Sequence, residues 1–400
     1  MSLWGTRGAW LALGLAGVAV RLWLWWGSIG STDVHIWADH GRTLMANGLA
    51  DTYENRASFN HPPLIGLYVR WIWDWAQGDG LAFARAIKLP ALAGEALALW
   101  ALWRFASPRA FAVYALVPAP ILVASFHGNT DCLYAALVLV AAIAFDKERY
   151  FLSGVLWGAT LNVKLLPLAL VPLVVMGPPN WRAFLRLGAG ASLGLIPFIP
   201  PALTAASSMY RNMLTYNSNG DNWGVLAILN LSIGMANLTD LAQGLRETYI
   251  AIGRYLILAS MAGVALLSRF RTRLPMTEQV ALGASLFLVL APGFGVQYVV
   301  FAAPLLCFVR ASTGLWWGWS SGLFIGVVYW IFMIQWQPMF SAFTSRFPGP
   351  TPVLGILAWA VLAHFVWTRL WAAWQRPEAL TRSCGGGSSP RTSGPRSAPG

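Results

Sequence analysis

Eight of the fifteen acidic side chains fall in two stretches, residues 27–77 and 203–248: Asp33, Asp39, Asp51, Glu54, Asp74, Asp221, Asp240 and Glu247. Asp131 stands apart in a short polar turn, SFHGNTD, and four of the five histidines, His35, His40, His61 and His127, belong to the first stretch or to that turn. Carboxylates gathered with imidazoles, Asn and Tyr side chains and arginines suit one kind of chemistry. A base can take a proton from a hydroxyl while cations hold a departing anion. His35 and Asp39, four residues apart, could share a metal, but no third ligand follows at metal-site spacing and no Asp-x-Asp occurs. The chemistry is therefore expected to need neither a metal nor another cofactor.

Other polar residues have plainer readings beside the functional one. Asp131 follows Gly128-Asn129-Thr130 and begins an apolar run, as a helix N-cap does, or it belongs to the site directly. Glu95 interrupts an apolar run and is either functional or a structural partner of Lys164. Gly283-Ala284-Ser285 lacks the glycine that an intramembrane serine protease would place next. Cys132, Cys307 and Cys384 show no CxxC and no metal spacing, so neither a disulfide nor a cysteine metal site is expected.

The elements that carry these residues follow from composition. The chain is 57% hydrophobic and 10% charged, with a mean hydropathy of +0.57, which excludes a water-soluble globule. At about 20 residues per span there is room for about twelve crossings, so the expected fold is an all-α polytopic membrane protein. The net charge of +12 then reads as basic cytoplasmic loops rather than as nucleic-acid binding. Two apolar segments, residues 62–77 and 223–238, are ambiguous. With neither crossing, sixteen of the 27 basic residues face the cytoplasm, ten face outward, Arg21 among them, and Lys164 stays in the membrane. Letting residues 62–77 cross would put fifteen of those sixteen outside, against the orientation rule. Leu64, Tyr68, Trp71 and Trp75 also share one helical face, so the segment reads as an interfacial amphipathic helix. The result is one transmembrane domain, residues 1–381, with outer loops at 27–77 and 203–248 and a Gly/Ser/Pro-rich tail, 382–400, expected to be disordered. The first apolar run shows no cleavage site and reads as a retained span. High Ala, Gly, Trp and Arg usage suggests a bacterial plasma membrane with the polar face outside.

Several stretches, in this order, give the chain a family likeness. They are GSTDVHIW, LADTYENRASFNHPPLIGLY, HGNTDCLYAALVLVAA, KLLPLALVPLVV, MYRNMLTYNSNGDNWG and GFGVQYVVFAAPLL. Together they resemble the GT-C superfamily of polyprenyl-phosphate-sugar-dependent glycosyltransferases, nearest to bacterial mannosyltransferase-like and eukaryotic dolichyl-phosphate-dependent members. The likeness implies inverting transfer of a monosaccharide from a polyprenyl-phosphate donor to a hydroxyl of a lipid-linked or glycan acceptor. It casts Asp33 as the catalytic acid of the first loop, His61 as the opening of the second interfacial helix, and Gln297 and Tyr298 as neighbours of the donor phosphate. A histidine found in some relatives near those two is absent here.

The chemistry is self-consistent. Phosphate leaves as a stable anion, so one carboxylate and some cations suffice, where a glycosidase also needs a protonated carboxyl. Arg56, Arg211, Arg346 and, deeper, Lys164 are the candidate phosphate holders, with Arg211 preferred. Asp39, His61, His127, Asn129, Asp131, Asn217 and Asp221 furnish the polar face on which an acceptor would lie. A transporter or flippase of lipid-linked sugars is the rival reading, although no internal repeat is evident. The expected partners are the donor, the acceptor and membrane lipids, with no nucleic acid. Cysteines introduced by Asp79→Cys and Lys147→Cys should be labelled from opposite sides of the membrane; labelling of both from one side would overturn the orientation.

Overall fold

The computed structural model describes residues 3–215, 223–233, 239–330 and 351–375. Among these residues every regular element is helical and none is a strand. In chain order we label α1 (Leu3–Gly27), α2 (Thr32–Asn55), α3 (Pro63–Ala76), α4 (Gly80–Ala106), α5 (Pro108–Leu116) and α6 (Pro118–His127). After them come α7 (Asp131–Asp146), α8 (Tyr150–Leu161), α9 (Leu166–Met176), α10 (Trp181–Gly194), α11 (Ile196–Leu214) and α12 (Gly224–Ile233). The last are α13 (Thr239–Thr272), α14 (Met276–Leu290), α15 (Val296–Val309), α16 (Ala311–Val328) and α17 (Thr351–Gln375).

Four helices, α1 from Thr6, α4, α13 and α17, are long and apolar enough to cross a membrane. The pairs α5–α6 and α10–α11 are bent by 58° and 44°, and counting each as one broken span raises the number to six. The shorter apolar helices α8, α9, α12, α14 and α15 have 15 residues or fewer, at most about 23 Å at 1.5 Å per residue. A bilayer core is about 30 Å thick. The two ambiguous segments are short as well. α3 has 14 residues and α12 has 10, about 21 Å and 15 Å. In α3, Ile65, Val69, Ile72 and Ala76 are buried, while Leu64, Trp71 and Trp75 of the expected apolar face are exposed. Tyr68, the fourth member of that face, turns inward enough to donate to the Ala86 carbonyl at 2.6 Å.

Packing between helices relies on small residues where backbones meet. Gly154 and Gly158 of α8 face Gly190 and Gly194 of α10; a Cβ built on Gly154 would lie 2.0 Å from the Leu187 oxygen, and one on Gly190 2.1 Å from the Phe151 oxygen. Charge is handled differently. Arg21, in the last third of α1, is buried rather than at the outer surface, and its Nη2 lies 2.8 Å from Glu95 of α4. Its guanidinium also donates to the carbonyls of Gly17, Tyr114 and Ala115, while the Tyr114 hydroxyl donates to Glu95 at 2.6 Å. The expected Glu95–Lys164 pair therefore does not form. Glu95 finds Arg21 because α1, α4 and α5 converge there, a proximity that separations of 74 and 19 residues hide.

An ion pair this deep contributes little when intact but leaves a stranded charge when broken. Glu95→Ala should lower stability by about 3–5 kcal/mol, read as a fall in the thermal unfolding midpoint in detergent, and adding Arg21→Met should recover much of it. An unchanged midpoint in the single variant would mean that the pair does not tie these helices together.

Candidate active site

Asp33 owes its position to a helix start. Ser31 caps α2, its Oγ accepting the Asp33 N–H at 3.2 Å, which places the carboxylate in the first turn, where the helix dipole favours an anion. The turn between α6 and α7 then closes over it. Ser31 Oγ donates to the His127 carbonyl at 2.7 Å and meets its Nδ1 at 2.8 Å. His127 Nε2 lies 3.1 Å from Asp33 Oδ2, and Asn129 Nδ2 donates to the same oxygen at 2.9 Å. Both contacts land on Oδ2, and among the described residues Oδ1 has no partner. Two left-handed glycines make the closure possible: Gly30 (φ 111°) and Gly128 (φ 82°) both press on Val34, where added Cβ atoms would come within 2.6 Å and 2.5 Å of its Cγ2.

Burial pushes the Asp33 carboxyl up, but the His127 charge and hydrogen bond, the Asn129 hydrogen bond and the Lys164 charge outweigh it, and the group titrates below its usual range. A carboxylate with one oxygen anchored and the other free can orient and deprotonate a hydroxyl.

Lys164 reaches the same place from a break in the chain. α8 ends at Leu161, the backbone unwinds, and a 3₁₀ turn with Pro167 opens α9. Lys164 Nζ donates to Asp131 Oδ1 at 2.8 Å and lies 4.7 Å from the Tyr298 ring centroid. Asp131 is thus no N-cap. It is the first residue of α7, after Thr130, and its carboxylate is committed to the lysine. A second break, residues 291–295, separates α14 from α15 and presents Gln297 and Tyr298. Three side chains satisfy the orphan carbonyls at the end of α14: Trp223 Nε1 bonds Leu288 O at 2.7 Å, Trp359 Nε1 bonds Val289 O at 2.9 Å and the Tyr249 hydroxyl bonds Leu290 O at 2.9 Å.

These breaks surround a cavity of about 680 Å³. Asp33, Asn129, Lys164, Gln297 and Tyr298 line one part with His40, Ser58, Asn60 and His61, whereas Leu165, Leu166, Leu168, Ala169, Ile257, Leu258 and Phe287 form an apolar flank. His127 and Asp131 stand directly behind Asp33 and Lys164. The other expected residues are elsewhere. Arg56 is held by Asp39 at 3.0 Å, and Asp39 also has Arg42 at 3.8 Å, so Asp39 faces arginines rather than His35. Arg211 is exposed, donates to Ser208 at 3.4 Å and does not line the cavity. Asn217, Asp221 and Arg346 lie outside the described residues. Among the described residues no three His, Cys, Asp or Glu side chains converge as a metal site would require.

Arg254 of α13, by contrast, lines the cavity, where the sequence counted it only as an outward charge. It lies in a helix whose loop neighbours gave no cue. Trp37 and His40 did carry a signal, since they follow Asp33 at i+4 and i+7 on one face of α2.

The sequence model of glycosyltransferase family 87 matches residues 59–292, more than half of the chain. The chain belongs to this family. Family 87 is a GT-C-type membrane glycosyltransferase family, which agrees with the apolar helices and with the resemblance drawn from the motifs. No curated protein matches the chain. The matched segment contains His61, His127, Asn129, Asp131, Lys164 and Arg254; Asp33 precedes it, and Gln297 and Tyr298 follow it. The family residues and the flanking ones therefore meet only through the fold.

The lowered Asp33 pKa sets a pH signature. The carboxylate persists until pH falls through the depressed value, so activity that needs it should survive well into the acid range. Asn129→Leu removes one stabilising hydrogen bond and raises the pKa, so glycosyl transfer by this variant should fail at a higher pH than in the wild type. Coincident acid limbs would disconnect Asn129 from the carboxylate that matters.

Proposed function

We propose that this family 87 protein moves a monosaccharide, with inversion, from a polyprenyl-phosphate sugar to a hydroxyl of a lipid-linked or glycan acceptor at the outer face of the bacterial plasma membrane. The observation that carries this reading is the union, in one cavity, of an apolar flank with a polar part containing Asp33 and Lys164. A lipid-linked sugar phosphate is likewise apolar along its tail and anionic at its head. In this reading the tail lies along Leu165, Leu168, Ile257 and Phe287, and the phosphate lies near Lys164, Arg254, Gln297 and Tyr298. Arg254 fills the part that sequence reasoning assigned to Arg211. The fold is read as about twelve crossings, several of them broken, with α3 lying on the outer surface.

The step is a single displacement. Asp33 Oδ1 takes the acceptor's proton as its oxygen forms a bond to C1 of the sugar; the C1–O bond to phosphate breaks, and the phosphate leaves with the electron pair. Lys164 and Arg254 stabilise that charge as it develops. His127 and Asn129 hold the carboxylate in its orientation. A transporter of lipid-linked sugars would use a similar cavity without making a product.

Purified protein supplied with radiolabelled polyprenyl-phosphate sugars should therefore form a glycosylated acceptor. Asp33→Asn keeps the size and the bond from Asn129 but loses basicity, so turnover should fall roughly 10² to 10⁴-fold with donor binding retained. Asp39→Asn, which disturbs only the contacts with Arg56 and Arg42, should be far milder. Near wild-type turnover by Asp33→Asn would remove it from the mechanism.

A further inference from the structure

Asp33, Trp37 and His40 form a stripe along α2, and all three line the cavity. His40 stands about 10 Å along the helix from Asp33. It is 2% exposed, yet neither Nδ1 nor Nε2 has a hydrogen-bond partner among the described residues. Buried polar atoms are rarely left unpaired, so a side chain that lines a cavity with both nitrogens unsatisfied points to a partner that enters there.

The chemistry of the place narrows what that is. Burial, with a smaller push from the Arg56 charge, outweighs Asp39 and brings the His40 pKa down to about 4, so at neutral pH the ring offers one N–H and one lone pair. A hydroxyl can serve both, because it accepts and donates; a phosphate cannot, because it wants donors and positive charge. Ser58 and Asn60, beside His40 on the cavity wall, are neutral as well. Trp37 and His61 bring aromatic rings to the lining, packed on each other with centroids 4.1 Å apart, and Phe59 backs His40 edge to face at 5.2 Å. Aromatic rings beside neutral groups that both donate and accept suit a pyranose ring.

We infer that Trp37, His40, Ser58, Asn60 and His61 form a saccharide subsite, and that it takes the sugar ring of the acceptor. The second half of this statement rests on the proposed function. In-line displacement sets the acceptor opposite the leaving phosphate, with its hydroxyl at Asp33, and the subsite continues along α2 from that residue.

Saturation-transfer NMR on the detergent-purified full chain, with methyl α-mannopyranoside and methyl β-glucopyranoside as probes, tests this without requiring turnover. At least one pyranoside should receive saturation at its ring protons from the wild type. In His40→Phe, which keeps an aromatic ring but neither nitrogen, the signal should fall at least five-fold, with the unfolding midpoint and the binding of polyprenyl phosphate unchanged. His40→Gln, which restores a donor and an acceptor, should recover part of it. Absence of signal from both sugars in the wild type, or equal signals in wild type and His40→Phe, would overturn the subsite. Displacement of the pyranoside by polyprenyl-phosphate mannose but not by polyprenyl phosphate would place the donor's sugar there and overturn the acceptor assignment. Failure of polyprenyl phosphate to bind the wild type would strike the donor reading instead, leaving the subsite to stand or fall on the pyranoside signals.

Discussion

A peptide group inside a bilayer has no water to bond, so the chain can leave the helical path only where side chains take over the abandoned hydrogen bonds. Around the cavity this protein leaves it at residues 28–31, 128–130, 162–165 and 291–295, and side chains bond the freed backbone groups beside each break. Lys88 donates to the Ser28 carbonyl at 2.6 Å, Ser31 to that of His127, and Asn162 to those of Gly158 and Gly194 at 3.0 and 2.6 Å. The two indoles and the tyrosine at the end of α14 do the same work. Because the breaks adjoin one another, the polar residues they expose collect in one cavity. The site exists because the broken ends share their repairs.

Charge obeys the same logic. Two pairs hold ions away from water, Arg21 with Glu95 inside the bundle and Lys164 with Asp131 at the cavity wall, while the buried Lys88 is met by the carbonyl and hydroxyl of Ser28. Asp33 is stabilised by the helix start, by His127 and by Asn129. Each arrangement keeps an ion tolerable in a poorly solvated place, and two of them also leave one face of Asp33 and Lys164 open to the cavity. Arg254 differs. It is exposed, it meets the hydroxyl and ring of Tyr255, and among the described residues it brings a positive charge to the cavity lining with no ion-pair partner.

Second-loop placement illustrates how the elements lock. Asn212, near the end of α11, donates to the carbonyls of Tyr53 and Arg56 at the end of α2, at 2.8 and 3.1 Å. This fastens the start of the second polar segment to the end of the first and brings Met213 and Leu214 to the cavity wall. Arg211, one residue earlier on the helix, consequently faces outward. A shift of one position turns a helical side chain by about 100°, which is why order along the chain was a poor guide to which arginine meets the cavity.

Composition and period told a good deal in advance. An apolar chain with few charges had to be helical and membrane-embedded, because only internally bonded helices or closed barrels tolerate hydrocarbon, and the motif order placed it among GT-C enzymes. Asp33 was visible in the first polar loop, His127, Asn129 and Asp131 in a short polar turn, and Lys164 as a cation within an apolar run. What the sequence could not decide was who holds whom. Glu95 takes Arg21 and not Lys164, Asp131 takes Lys164 and not the helix end, Asp39 takes Arg56, and Arg254 rather than Arg211 reaches the cavity. A charge in a low-dielectric interior pairs with whatever opposite charge lies within a few ångströms, and that distance is set by helix crossings and breaks between segments far apart in the chain. Residue type fixed which groups need partners; the packing of broken helices decided which partners they found.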